Sequence, residues 1–460
     1  MYFVHFPLFY LSLFLILVIV ISLLIKEEIR KVTSITSIGL GLILIVPIFD
    51  WVVGGGYLIT YPLRLKPYLI NFLNPFISIT NIGVSPGQRI VIVLICFLIA
   101  TYSYLKRRNL LISSFAFLIS WLIIIFWGGL PTLLAANRPE NIYLTGGILN
   151  LDEQKFAALF ALLFLFFLFI YYYLLNREHF KILVSSLRPE RMLFYGGAGI
   201  FGLFLAMHQK GFALKISGFE MLGIVSLFLS LALGFQGAQI INDFFDIEAD
   251  QISRKRNPLL RGINRNYYTV WGFGLILLAL CLALIINYSS FLIMTGYLLL
   301  SVIYSVPPIR LKRVPLISTF ILAVAVIMGM VMGFTPTFGN QAFIAFPKIL
   351  LIPTLIGITL GFIAKDIKDV NGDRKNGVLT LPVLLYKDTL LGRLPIAILI
   401  GISYLFYVIF IPKVLLGAMI CSLLTIIYTI FVGKIKEWFY FIMLYIFGFY
   451  LLSVMLGILR

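Results

Sequence analysis

The sequence is poor in the residues that build disulfides and zinc sites, since its 460 residues include only three cysteines and three histidines. Each cysteine stands alone inside an apolar run, so neither a disulfide framework nor a cysteine-based zinc site is expected. The histidines are far apart and form no ligand pattern, which argues against histidine chemistry. Charged residues amount to only 12% of the chain. The chemistry of this protein must therefore reside in a few other polar side chains.

Apolar residues dominate instead, at 61% of the sequence. Apolar runs of about 20 residues, the length of a bilayer-spanning helix, recur from end to end. The sequence therefore predicts an all-α, polytopic membrane protein with about 14 transmembrane helices. The predicted spans are residues 9–25, 34–50, 89–105, 110–127, 156–175, 192–207, 221–241, 268–287, 290–306, 317–335, 348–364, 394–412, 413–431 and 438–457.

The formal net charge of +18 is concentrated between the predicted spans. Every second inter-helix segment is rich in Lys and Arg, which is how membrane proteins fix their orientation. This distribution favours a membrane setting over a nucleic-acid partner. It predicts an integral multi-pass protein, in the cell membrane if the source is prokaryotic, with basic loops cytoplasmic and both termini outside.

Six of the nine aspartates fall in two clusters with the same spacing. They are Asp243, Asp246 and Asp250 in NDFFDIEAD, and Asp366, Asp369 and Asp373 in KDIKDVNGD. Offsets of three and seven on an α-helix bring side chains within about 60° of one another, so each triplet is expected to form one carboxylate face at the cytoplasmic end of a span. Such clusters need a compensating cation. Because Mg²⁺ prefers oxygen ligands and is often shared with substrate phosphates, we predict a Mg²⁺ site in two halves that holds a diphosphate.

Basic residues accompany both clusters. Arg254 follows the first cluster, and YSVPPIRLKR, between the two, contains Tyr304, Arg310 and Lys312. Cations placed near a departing diphosphate stabilise the charge that develops on it, so these residues and Lys365, directly before the second cluster, are candidates for diphosphate binding. The alternative is that topology alone explains some of these charges.

Three segments resemble the signature motifs of the UbiA-type intramembrane prenyltransferases. NDFFDIEAD is similar to the family's N-D-x-x-D-x-x-x-D motif, KDIKDVNGD with the following RKNGVLTLPV is similar to its second D-x-x-D-x-x-x-D motif, and YSVPPIRLKR resembles the segment between them. The resemblance covers about residues 185–460, where nine spans are predicted, as in the family. It implies a C-terminal nine-helix prenyltransferase bundle. One departure is that the family's R-P-x-R-P segment reads RKRNP from Arg254 onward.

The resemblance also implies a reaction and its participants. The six aspartates would hold Mg²⁺ on an isoprenyl diphosphate, Asn242 would help orient it, and Arg188 in LRPE would reach the diphosphate. Ionisation would release diphosphate and leave an allylic carbocation, which a lipophilic or aromatic acceptor captures. The acceptor stays open among aromatic quinone precursors, porphyrin-type rings, glycerol-phosphate lipids and phosphoribose.

Residues 1–184 contain about five of the predicted spans and no catalytic constellation. Asp50 and the loop at residues 137–140 are polar, but ordinary loop chemistry explains them better than a site. We therefore predict an accessory membrane domain at residues 1–184 and a UbiA-like domain at residues 185–460. Two alternatives stay open, a terpene-cyclase-like or diphosphate-cleaving enzyme on the same scaffold and an ion-coupled transporter.

Overall fold

The computed structural model describes residues 2–53, 66, 69–70, 84–137, 147–211, 218–252, 257–375, 379–432 and 435–459. Within these ranges the chain forms helices and no β-strand. Fourteen of the described helices are long and apolar enough to cross a membrane, and each overlaps one predicted span. The prediction of an all-α, multi-pass membrane protein is therefore confirmed.

The chain forms two compact units, Met1–Phe180 with Ser217–Leu222, and Lys181–Ile216 with Gly223–Arg460. The roles predicted for residues 1–184 and 185–460 concern activity as well as structure, and they stay predictions.

The first unit is a helical bundle whose apolar side chains face one another. Its helices are α1 (Tyr2–Ile25), α2 (Ile29–Ile43), α3 (Val46–Val53), α4 (Pro86–Arg107), α5 (Leu110–Asn137) and α6 (Asp152–Leu175). Val18, Ile21 and Ile25 of α1 are buried against Val32 of α2 and residues of neighbouring helices. A capping box precedes α4. The Ser85 hydroxyl accepts a hydrogen bond from the backbone amide of Gln88, and the side-chain oxygen of Gln88 accepts one from the backbone amide of Ser85. Two amide donors at the start of the helix are thereby satisfied.

Asp50, the acidic residue that stood out in the first 184 residues, has a structural partner. Asp50 accepts a hydrogen bond from the amide of Gly87 at 2.7 Å, beside the start of α4. A Cβ on Gly87 would lie 2.7 Å from the carbonyl oxygen of Val46, so this close approach requires glycine. Asp50 therefore joins α3 to α4, and residues 138–146 lie outside the described part of the chain.

The second unit contains the segments that carry the aspartate clusters. Its described helices are α7 (Arg177–Ser186), α8 (Pro189–Gln209), α9 (Gly218–Phe245), α10 (Ile247–Ile252), α11 (Arg265–Ile286), α12 (Tyr288–Ser305), α13 (Ile317–Phe338), α14 (Ala342–Ala345), α15 (Lys348–Gly361), α16 (Val370–Lys375), α17 (Leu381–Leu385), α18 (Leu390–Phe410), α19 (Leu415–Phe431) and α20 (Glu437–Met455). The first residues of α7 and α9 belong to the first unit. Nine of the candidate spans lie between residues 189 and 455 in the described chain.

Helices α8 and α13 cross with their backbones in contact. A Cβ on Gly333 would lie 2.1 Å from the carbonyl oxygen of Gly199, and a Cβ on Gly202 would lie 1.9 Å from that of Met330. Small residues allow such close packing between membrane helices, where van der Waals contact replaces the hydrophobic effect as the driving force. This crossing fixes α8, whose first turn carries basic side chains of the candidate site.

The expectation that each aspartate triplet lies on one continuous α-helix is wrong. Helix α9 ends at Phe245, Asp246 lies at the break, and α10 begins at Ile247. The second cluster lies on a 3-10 stretch, Phe362–Asp369, that is followed by α16. A 3-10 helix has three residues per turn, and a break redirects the chain, so neither triplet follows the α-helical geometry.

Candidate active site

A cavity of about 570 Å³ lies within the second unit, and both aspartate clusters contribute to its wall. Every predicted site residue whose side chain the structure describes lines this cavity. These residues are Asp243, Asp246, Asp250, Asp366, Asp373, Asn242, Arg188, Tyr304, Arg310, Lys312 and Lys365. Arg254 and the side chain of Asp369 lie outside the described residues. The assignment of catalytic, metal and diphosphate roles to these residues stays a prediction.

Asp243 is buried in the last turn of α9 and is held from two sides. Gln239 donates to its Oδ1 and the Tyr268 hydroxyl donates to its Oδ2, both at 2.7 Å. Tyr268, on α11, is fully buried. These two donors satisfy a carboxylate that would otherwise be costly to bury, and they fix its orientation toward the cavity.

Asn257 joins the two halves of the first cluster. Its Nδ2 donates to the backbone oxygen of Asp243 and to Oδ2 of Asp250, each at 2.9 Å, and its side chain is buried. A single amide thus connects the last turn of α9 with α10 across the break at Asp246. Asn257, Gln239 and Tyr268 were not predicted as site residues from the sequence. Only Gln239 had a signal, because it lies four residues before Asp243 on the same helix.

Asp246 accepts hydrogen bonds from two cations of the segment between α12 and α13. Arg310 Nη2 donates to its Oδ1 at 2.6 Å, and Lys312 Nζ donates to the same oxygen. Lys312 Nζ also donates to Oδ1 of Asn242 at 2.8 Å. Burial alone would raise the pKa of Asp246, but the positive charges of Lys312 and Arg310 outweigh it and lower that pKa. Burial lowers the pKa of Lys312 to about 8, against the opposing effect of Asp246. Asp246 is therefore ionised at neutral pH.

Arg310 adopts a backbone conformation that is uncommon for a residue with a side chain. Its φ of 41° lies in the left-handed region, directly before the 3-10 turn Leu311–Arg313. For a residue other than glycine this conformation costs roughly 1–2 kcal/mol. Arg310 Nη2 donates to the carbonyl oxygen of Phe245 at 3.0 Å as well as to Asp246, so these bonds offset the strain. This backbone conformation places the Arg310 guanidinium at the break that follows α9.

The second cluster forms an ion pair and contacts a phenol of α12. Lys365 Nζ donates to Oδ1 of Asp366 at 2.9 Å and to the hydroxyl of Tyr304 at 3.3 Å. Asp373, on α16, is half-buried and faces the same cavity. Thus Tyr304 at the end of α12 and Lys365 on the 3-10 stretch, 61 positions apart, meet in the wall of the cavity.

Arg188 and a further ionic group line the cavity beside α8. Arg188 precedes the first turn of α8, and burial lowers the pKa of its guanidinium, although arginine still stays charged in proteins. Arg191 and Lys368 both bind the carboxylate of Glu437, the first residue of α20. This group was not predicted from the sequence, because most of the second unit separates its three members in the chain.

The donor chemistry of the cavity fits Mg²⁺, since carboxylate oxygens are its preferred protein ligands. Among the described residues, no three Asp, Glu, His or Cys side chains are gathered into a group that could hold a metal ion. Asp246 and Asp366 are in ion pairs, and Asp243 and Asp250 accept from neutral side chains. The cavity therefore contains suitable ligand types, and a bound metal ion would replace some of these hydrogen-bond and ion-pair partners of the carboxylates.

Aromatic and aliphatic side chains also line the cavity. Tyr195 stacks on Phe235 with ring centroids 5.1 Å apart, and it meets Tyr297 edge-on at 5.8 Å. Leu322 and Ala325 of α13 also line the cavity. The same cavity thus has both charged and apolar side chains in its wall, as a molecule with a diphosphate head and a hydrocarbon tail requires.

The profile of the UbiA prenyltransferase family matches residues 197–459, more than half of the chain. The chain belongs to the UbiA prenyltransferase family. The predicted family and the predicted enzyme class, transfer of prenyl groups, are confirmed. The prediction of an integral multi-pass membrane protein agrees with this family.

Several curated UbiA relatives resemble the chain in sequence. A digeranylgeranylglyceryl phosphate synthase from Thermococcus sibiricus is 31% identical over 207 residues, which are 44% of this chain and 68% of the relative. The synthase of the same name from Pyrococcus abyssi is 28% identical over 256 residues, 52% of this chain and 84% of the relative. A solved UbiA homolog from Archaeoglobus fulgidus, bound to GPP and Mg²⁺, is 18% identical with a TM-score of 0.42, covering 60% of this chain and 99% of that one.

Proposed function

We propose that this UbiA-family protein transfers an isoprenyl group from an isoprenyl diphosphate to a hydroxyl group of a glycerol-phosphate lipid, in a Mg²⁺-dependent reaction within the membrane. The observation that carries the proposal is that both aspartate clusters and the basic residues between them line one cavity with an apolar wall. The acceptor class rests on the relatives from Thermococcus sibiricus and Pyrococcus abyssi, whose name specifies a glyceryl phosphate.

The first step breaks the bond between C1 of the isoprenyl group and the diphosphate oxygen. The electron pair goes to diphosphate, and an allylic carbocation remains. Arg188, Lys312 and Lys365 stabilise the negative charge that develops on the leaving group. Mg²⁺ held by Asp243, Asp246, Asp250, Asp366, Asp369 and Asp373 would supply further neutralisation of the diphosphate oxygens.

The second step forms a bond between C1 and the acceptor oxygen. A lone pair of the hydroxyl attacks the carbocation, and the hydroxyl proton passes to the departed diphosphate, whose oxygens are basic. The stacked rings of Tyr195 and Phe235, with Tyr297, present aromatic faces to the hydrocarbon chain and exclude water. Aromatic faces attract cations, and exclusion of water prevents hydrolysis of the carbocation.

The test is a transfer assay with the purified full-length chain, Mg²⁺, and geranyl, farnesyl or geranylgeranyl diphosphate. Geranylgeranylglyceryl phosphate is the acceptor, and both diphosphate release and the mass of the lipid product are measured. We expect a product heavier by one isoprenyl group, and we expect chelation of Mg²⁺ with EDTA to abolish it reversibly.

Asp246→Asn and Asp366→Asn are expected to reduce the rate at least about 100-fold, because each removes a proposed metal ligand. Asp388→Asn is the matched control, since Asp388 is 76% exposed and does not line the cavity. Diphosphate release without a lipid product would contradict transfer and indicate a cyclase-like or diphosphate-cleaving enzyme. A product formed only with an aromatic acceptor would overturn the acceptor assignment.

A further inference from the structure

A group of two cations and one carboxylate lines the cavity and has no part in the reaction described above. Arg191 Nε donates to Oε1 of Glu437 at 2.7 Å, and its Nη2 donates to the same oxygen. Lys368 Nζ donates to the other oxygen, Oε2. All three side chains line the cavity. Each carboxylate oxygen thus carries its own cation, and we name these three residues the Glu437 group.

The Glu437 group has an excess of positive charge. Its carboxylate supplies one negative charge against two positive ones, while the side chains of Arg191 and Glu437 are only 16% and 11% exposed. Arg191 and Glu437 neutralise each other, and the Lys368 side chain, which is 43% exposed, adds one positive charge that no carboxylate of the group balances. Arg310 and Lys312 both pair with Asp246, and the proposed reaction assigns Lys312 to the diphosphate. The Glu437 group therefore has capacity for a second anion in the same cavity.

Donors remain available for such an anion. Arg191 uses Nε and Nη2 for Glu437, and its Nη1 makes no hydrogen bond in the described part of the chain. Lys368 is 43% exposed, so its ammonium can turn toward a ligand at little cost. A guanidinium and an ammonium side by side match the oxygens of a phosphate monoester, which accepts strong charge-assisted hydrogen bonds.

We propose that Arg191 and Lys368 bind the phosphate of the acceptor lipid and that Glu437 holds the two cations in place before the lipid arrives. This inference rests on the proposed function, because it assigns the acceptor head group to a place in the same cavity. The donor diphosphate then binds beside the aspartate clusters, so the two phosphate-bearing substrates bind to different cations.

A purely structural role is the alternative, since the Glu437 group joins α20 to α8 and to the 3-10 stretch. Other contacts already make the connection between α20 and α8. The hydroxyl of Tyr445 donates to the carbonyl oxygen of Glu190, and Phe441 packs edge-on against Phe194 with ring centroids 5.6 Å apart. The connection of α20 to α8 therefore does not depend on the ion pair between Arg191 and Glu437 alone.

The test compares Arg191→Gln and Lys368→Gln with the wild-type chain on two acceptors, geranylgeranylglyceryl phosphate and geranylgeranylglycerol, which lacks the phosphate. Loss of one charge-assisted contact is expected to raise KM for the phosphate-bearing acceptor about tenfold or more. KM for geranylgeranyl diphosphate and the rate with geranylgeranylglycerol should stay within about twofold of wild type. Lys436→Gln is the control, because Lys436 is an exposed neighbour of Glu437 and does not line the cavity.

Glu437→Gln separates the two interpretations. If the cations bind the acceptor, Glu437→Gln keeps both of them and should raise KM for the phosphate-bearing acceptor less than Arg191→Gln does. If the group is only structural, Glu437→Gln and Arg191→Gln should lower the unfolding temperature alike and leave the preference between the two acceptors unchanged. The second result would overturn the inference, as would an equal rise in KM for geranylgeranyl diphosphate. Lys368→Gln keeps the test valid if Arg191→Gln fails to fold, because Arg191 still neutralises Glu437 in that variant.

Binding without turnover distinguishes failure of the inference from failure of the proposed function. Geranylgeranylglyceryl phosphate alone should raise the unfolding temperature of the wild-type chain, and Lys368→Gln should reduce that shift. A wild-type shift without product formation would contradict the proposed function and support the binding site. Product formation with unchanged kinetics and thermal shift in both variants would contradict the site and leave the proposed function intact.

Discussion

Tyr268→Phe should weaken Mg²⁺-dependent catalysis without removing any residue from the wall of the cavity. The substitution deletes one hydroxyl, which donates to Oδ2 of Asp243 at 2.7 Å, and keeps the buried ring. A hydrogen bond to a charged group contributes about 1.5–3 kcal/mol, and loss of such a partner behind a metal ligand commonly costs about 10- to 100-fold in metal affinity. Gln239 still donates to the other oxygen, so we expect the smaller effect, about tenfold.

The assay is the initial rate of prenyl transfer measured across a range of Mg²⁺ concentrations. The Mg²⁺ concentration at half-maximal rate should rise about tenfold in Tyr268→Phe, while the rate at saturating Mg²⁺ falls less. Tyr288→Phe, at a position 64% exposed at the start of α12, is the control and should match wild type. An unchanged Mg²⁺ dependence in a Tyr268→Phe protein of normal unfolding temperature would refute the role of Tyr268 in positioning Asp243.

Three further substitutions address the break, the apolar wall and the helix crossing. Asn257→Ala should reduce transfer about tenfold and lower the unfolding temperature, because Asp250 loses the hydrogen bond from the Asn257 amide. Rate and thermal unfolding measured together test this, and an unaltered rate would contradict it. Ala325→Phe should reduce kcat/KM for geranylgeranyl diphosphate about tenfold more than for geranyl diphosphate, because the ring takes space from the hydrocarbon chain. An equal effect on both donors would show that the hydrocarbon chain of the donor does not pass Ala325. Gly333→Ala should destabilise the detergent-solubilised protein by about 1–3 kcal/mol, whereas Gly197→Ala, where no atom lies within 4 Å of the new Cβ, should not.

The spans and the family could be predicted from the sequence because they depend on local patterns. A run of about 20 apolar residues must cross the bilayer as a helix whatever its neighbours are. The aspartate clusters are equally recognisable in the sequence, because three carboxylates within eight residues repel one another unless a cation compensates their charge. Their meeting in one cavity with Arg310 and Lys312 followed from that electrostatic requirement and from the predicted topology.

The local geometry of the clusters could not be predicted in the same way. The break at Asp246 is stabilised by Arg310 and Asn257, and both contacts join residues that the sequence separates. Helical periodicity contains no information about these long-range contacts, so it predicted a continuous helix where the structure has an interruption. Tyr268 and Glu437 were missed for the same reason, because a tyrosine or glutamate at a helix terminus has no distinctive sequence pattern. The partners of buried charges are a property of the tertiary structure.

The double contact of Arg310 has a thermodynamic consequence. The same guanidinium binds the carbonyl oxygen of Phe245, the last residue of α9, and the carboxylate of Asp246. A ligand that draws Arg310 away also removes a cap from the helix terminus, and by reciprocity anything that frays this terminus alters ligand affinity. Amide hydrogen exchange in the last turn of α9 should therefore report on occupancy of the diphosphate region, which provides an intrinsic sensor that needs no label.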